Sequence, residues 1–115
     1  MVRQIIFLVC LLPLTFSATA QSAFPTDYFG NPLEIEPVLS GTFAELRSNH
    51  FHSGVDIKTQ QREGLKVLAA ADGYVHRINI SSFGYGQVMY LTHPNGYSTA
   101  YAHLKDFNDE IAAYV

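Results

Sequence analysis

The sequence predicts a small, mainly β domain built on a compact antiparallel sheet. After Gly41, short runs alternate apolar and polar residues, and Gly-, Asn- and Ser-containing turns separate them. Asn95-Gly96 then joins two such runs as a tight hairpin, since both residues tolerate positive φ. With 115 residues there is space for one small domain and none for large repeats.

Residues 1–20 read as a signal peptide rather than as part of the fold. Arg3 gives a basic start, residues 5–14 are an apolar run, and Ala18-Thr19-Ala20 is a small-residue cleavage pattern before Gln21. The run is shorter than the roughly 20 residues a membrane span needs, so no stable membrane insertion is expected after cleavage. The expected location is exported, in the periplasm or outside the cell. Cys10 lies within the apolar run and follows Val9, which argues against lipid attachment. Its removal leaves neither disulfides nor a thiol nucleophile.

Residues 21–40 form an expected N-terminal extended segment. Pro25, Pro32 and Pro37 interrupt any helix, and residues 27–32 carry turn signals. Phe24, Tyr28, Phe29, Leu33 and Ile35 are available to pack on the domain.

The domain itself is expected over residues 41–115. Residues 66–70 are a short apolar stretch, and Asp72-Gly73 is a turn. Residues 74–80 alternate, with Val75, Arg77 and Asn79 on one face and Tyr74, His76, Ile78 and Ile80 on the other. Residues 81–86 are a loop, 87–93 a second strand and 97–104 the returning strand of the hairpin. Residues 106–115 predict a helix, with Asn108 as N-cap and Asp109 and Glu110 in its first turn. The formal net charge is −3, and Lys58, Arg62 and Lys66 are spread along a loop-like stretch. No basic patch results, so no nucleic-acid partner is expected.

The chemistry concentrates in His52-Ser53-Gly54-Val55-Asp56. On a flat strand such a spacing spans about 13 Å, too far for joint ligation of one metal. Gly54, Val55 and Ile57 disfavour a helix. A bend at Gly54 would put His52 at a loop end and Asp56 at a strand start, with Val55 and Ile57 turned into the core. Without cysteine, a transition metal must take nitrogen and oxygen donors, and zinc accepts both. A surface hydrogen bond is the competing role for such a pair. His103, near the end of the returning strand, suits a general base beside a metal-bound water, or a hydrogen bond within the sheet.

The other candidates divide similarly. His50 is either an orienting partner for a ligand or an exposed loop residue. His76 is expected on a sheet face and His93 in a structural hydrogen bond. Arg47 offers oxyanion stabilisation or a salt bridge to Glu45 or Glu34. Tyr85, Tyr97 and Tyr101 would wall a groove or pack the sheet.

Three motifs in order carry a resemblance. Residues 47–58 with their H-x-G-x-D core, Ala71-Asp72-Gly73-Tyr74-Val75, and the Y-G-x-x-V…H-x-N-G…Y-A-H-L run to Leu104 resemble the lysostaphin-type (LytM-like) zinc endopeptidases over residues 41–104. The resemblance implies that family's antiparallel β fold, a zinc cofactor and peptidoglycan peptides as substrates. It implies His52 and Asp56 as metal ligands and His103 as a catalytic residue. It also implies a downstream H-x-H element supplying the third ligand and a second catalytic histidine, whereas residues 105–115 contain no histidine. The chain is therefore expected to be a fragment holding part of a zinc metallopeptidase domain, truncated at its C-terminus and inactive or poorly folded alone. The alternatives are a non-catalytic regulator or wall-binding module of the same fold, and a metal-free sugar- or peptide-binding β module.

Overall fold

The computed structural model describes residues 25–115. The expected signal peptide and Phe24 of the expected arm lie outside the described residues. The elements are β1 Leu39–Gly41, β2 Asp56–Ile57, β3 Tyr74–Ile80, β4 Gln87–Thr92, β5 Ser98–Leu104 and α1 Asp109–Ala112. β1 pairs with β2, and β3, β4 and β5 form a three-stranded meander. Every pairing is antiparallel. The molecule is thus mainly β and antiparallel, as its alternating runs and turn signals imply.

β4 is the centre of the meander. Val88 is fully buried and Leu91 nearly so, because strands cover β4 on both edges. The hairpin after it closes at Asn95-Gly96. His93 N–H donates to Tyr97 O at 2.9 Å, Gly96 N–H donates to His93 O at 2.9 Å, and Gly96 has φ +84°. His93 belongs to this turn, so β4 ends one residue earlier than the sequence suggests.

β3 departs from the expected two-faced alternation. His76 is an extra residue between the Val75–Leu91 and Arg77–Tyr90 pairs. This bulge resets the faces, and on the exposed edge strand only Ile78 is even half-buried. The stretch 66–70 is not a strand. It runs beside the N-terminal arm through a Leu33–Val67 bridge, with Gly30 N–H on Ala70 O at 2.7 Å and Leu68 N–H on Pro32 O at 2.9 Å. Leu33 is buried there, and Phe29 meets the His93 ring edge-on at 5.2 Å.

The expected helix over 106–115 shrinks to Asp109–Ala112. Asn108 caps it as expected, its Oδ1 accepting from Ile111 N–H at 2.9 Å. None of its residues is buried, and a short helix without a packed face does not propagate. No helix among the described residues is long and apolar enough to cross a membrane.

Candidate metal centre

The site begins with the β1–β2 ribbon, in which Gly41 stands opposite Asp56. Between these strands the chain folds into a small hairpin. Ala44 N–H donates to His52 O at 2.7 Å, His52 N–H to Glu45 O at 2.8 Å, and Arg47 N–H to His50 O at 2.8 Å. The returning arm ends at His52, the chain bends at Gly54, and β2 starts at Asp56. This is the bend the sequence requires. It brings His52 Nε2 to 3.2 Å from Asp56 Oδ1. Gly54 lies beside this pair: a Cβ there would stand 4.0 Å from His52 Nε2.

Val55 and Ile57 do not become the expected core pair. Val55 is 54% exposed and Ile57 half-buried. Their ribbon has only two strands, and its faces are not sandwiched as β4 is.

The protonation pattern of His52 follows from its neighbours. Nδ1 lies 3.0 Å from the Thr42 carbonyl oxygen, which can only accept, so Nδ1 carries a proton. In the neutral imidazole Nε2 then presents a lone pair to a carboxylate oxygen. Two electron-rich atoms at 3.2 Å need a positive charge between them, a proton or a metal cation. Bonds of about 2.0–2.1 Å at tetrahedral angles separate two zinc ligands by about 3.3 Å. The pair therefore fits two corners of such a site in both atom type and spacing. Among the described residues, no group of three or more His, Cys, Asp or Glu side chains is placed to hold a metal ion.

Arg47 supplies the strongest contact at the site. Its Nη2 donates to Asp56 Oδ2 at 2.6 Å, and its Nε lies 3.5 Å from Glu45 Oε1. Nη2 also comes within 3.3 Å of His52 Nδ1, which as an N–H cannot accept from it. The Arg47 hydrogen bond holds the Asp56 carboxyl below the usual carboxylate range. Burial opposes this, while the charges of His52, Arg47 and His103 add to it. The same bond raises the Arg47 guanidinium, which stays charged.

His103 comes from the other sheet. Two residues of β5, Ala102 and His103, stand opposite the single Val88 between the Gln87–Leu104 and Met89–Tyr101 pairs. His103 is in this bulge with φ +55°, a left-handed conformation uncommon for a residue with a side chain. Bulges of this kind re-aim a side chain at a site. Gly86 in the facing loop has φ +62°, which glycine adopts without strain, and a Cβ there would stand in ordinary contact with His103 Nδ1 at 3.8 Å. His103 N–H donates to Tyr85 O at 2.9 Å. The Tyr85 hydroxyl in turn shares a 2.6 Å hydrogen bond with Ser53 Oγ, next to His52. One tyrosine thus joins the two segments that carry the candidate residues.

The remaining candidates lie elsewhere. His50 is exposed and bonded to its neighbour Asn49, so it does not orient His52. His76 bonds Thr92 on a sheet face at 2.9 Å. His93 is buried in the structural role expected of it. Tyr97 packs on Phe29, and the Tyr101 hydroxyl accepts from Ala70 N–H at 2.8 Å, so only Tyr85 reaches the site. Glu34 pairs with Lys66 rather than Arg47. Sequence reasoning missed Asp56 as the main partner of Arg47, and Thr42 as the tether of His52.

The family model described as peptidase family M23 matches residues 50–114. That span contains His52, Asp56 and His103. Neither a curated protein nor a solved structure matches the chain. With more than half of its residues covered, and with the motif order and antiparallel fold described above, the chain belongs to peptidase family M23.

Proposed function

We propose that this chain carries part of the site of an exported zinc endopeptidase acting on peptide bonds of bacterial cell-wall peptidoglycan. The observation that carries the reading is the 3.2 Å approach of His52 Nε2 to Asp56 Oδ1, with the other imidazole nitrogen committed to Thr42. His52 and Asp56 would hold the metal, which when bound polarises the scissile carbonyl and lowers the pKa of water. Thr42 keeps His52 in the tautomer that offers Nε2 as the donor. The Arg47 hydrogen bond holds the Asp56 carboxyl below its ordinary range. His103 takes a proton from the attacking water and returns it to the leaving amine. Its exposed place on a bulge gives the imidazole access to a reacting group.

The test is digestion of purified peptidoglycan with Zn2+ present by the chain extended through the expected downstream H-x-H element, read by mass spectrometry of the released peptides. Chelator-sensitive cleavage that His52→Ala abolishes is the expected result. Wall binding without new peptide termini would instead favour a non-catalytic module of the same fold. Cleavage indifferent to both chelator and His52→Ala would sink the zinc reading.

A further inference from the structure

We infer that Arg47 is a positioning residue that makes Asp56 a one-oxygen metal ligand, and that Gly41 is the floor permitting it. The inference rests on the zinc reading of His52 and Asp56. The two carboxylate oxygens have different partners. Oδ2 is taken by Arg47 Nη2 at 2.6 Å, while Oδ1 faces His52 Nε2 at 3.2 Å. A carboxylate without the first bond would be free to turn both oxygens toward a cation, or to swing away from His52. With it, the carboxylate is oriented so that Oδ1 is the oxygen facing His52.

The guanidinium is also drawn toward Glu45. Nε lies 3.5 Å from Glu45 Oε1 as an ion pair without a hydrogen bond, and Glu45 Oε2 accepts from Thr42 N–H at 3.1 Å. The Thr42 carbonyl then receives His52 Nδ1–H at 3.0 Å. Thr42, Glu45, Arg47, Asp56 and His52 therefore close a ring, and the open edge of that ring is the Nε2–Oδ1 gap. Cation capture there displaces no contact of Arg47. Gly41, opposite Asp56, lies under the Arg47–Asp56 bond. A Cβ at Gly41 would collide with Asp56 Oδ2 and stand 2.6 Å from Arg47 Nη2. Alanine at this position pushes the carboxylate and guanidinium apart.

The experiment is a Zn2+ titration of the full chain followed by calorimetry, with His52→Ala as the blank and thermal melting recorded for every variant. Partners that orient a metal ligand typically contribute 10- to 100-fold in affinity. Arg47→Ala and Gly41→Ala are expected to weaken Zn2+ binding by about tenfold or more while the melt stays cooperative. Arg47→Lys is expected to recover only part of the loss, because an ammonium lacks the planar fork. Parental affinity in both Arg47→Ala and Gly41→Ala, with binding lost in His52→Ala, would overturn the inference and leave the zinc reading standing. A parent chain that binds no better than His52→Ala would overturn both. Should Arg47→Ala fail to fold, Glu45→Gln loosens the same guanidinium from the surface. Unchanged affinity in that variant would also overturn the inference.

Discussion

His93 and His52 are held alike at one nitrogen and differently at the other. Each places Nδ1 on a backbone carbonyl, Asp72 O at 2.8 Å and Thr42 O at 3.0 Å. At Nε2, His93 meets the Thr99 hydroxyl at 2.9 Å, whereas His52 meets the Asp56 carboxylate at 3.2 Å. Thr99 Oγ1 donates on to the Tyr101 hydroxyl at 3.0 Å, and that hydroxyl also accepts from Ala70 N–H. Both ring nitrogens of His93 thus have partners inside the protein, and the residue is 3% exposed. A carboxylate cannot donate, so the His52 pair is completed either by a proton on the imidazole or by a metal cation. The same tether yields a structural histidine or a candidate ligand according to what faces the second nitrogen.

The contrast predicts opposite responses to alanine. His93→Ala leaves a cavity and takes the imidazole from the Asp72 carbonyl, for an expected loss of about 2–4 kcal/mol in denaturant unfolding. His52→Ala is expected to change stability by under about 1 kcal/mol yet remove Zn2+ binding. Equal destabilisation by the two variants would break the comparison.

Smaller effects sharpen it. Tyr85→Phe removes the Ser53 hydrogen bond and is expected to lower stability by about 0.5–1 kcal/mol. Amide NMR should show shifts at both Ser53 and His103. Shifts confined to one side would mean that Tyr85 does not couple the segments. The smallest effect is the acid response of Asp56, a partly exposed group. Its carboxyl is lowered in the folded chain, so its stabilisation is complete above the ordinary value of about 3.9 and fades as pH falls through the lowered one. The melting-temperature gap between the parent and Asp56→Asn should therefore hold from neutral pH to about pH 5 and narrow below about pH 4. A gap that widens in acid would contradict the Arg47–Asp56 pairing.

What was legible in the sequence was local. Asn95-Gly96 marked the hairpin because a tight turn needs residues that tolerate positive φ, and Gly96 adopts it. Asn108 marked a helix start, although the absence of a buried face shortened the helix. His52 and Asp56 were legible as a pair because Gly54 offered a bend. The rest depended on pairing between distant segments. Arg47 chose Asp56 because the β1–β2 ribbon folds the hairpin back over it, and nothing in residues 45–47 encodes that register. Val55 read as core by its apolarity, but the ribbon supplies no layer to cover it. His76 read as one step of an alternation that its own bulge interrupts.

The left-handed backbone of His103 bears on how its chemistry can be measured. Alanine pays steric strain at φ +55° and has no polar side chain to relieve it, so His103→Ala would disturb the loop as well as delete the imidazole. Glycine accepts that conformation freely and asparagine tolerates it. His103→Asn and His103→Gly are thus the cleaner controls. Agreement between them in cleavage rate would report the missing imidazole, and an extra deficit in alanine would report the backbone.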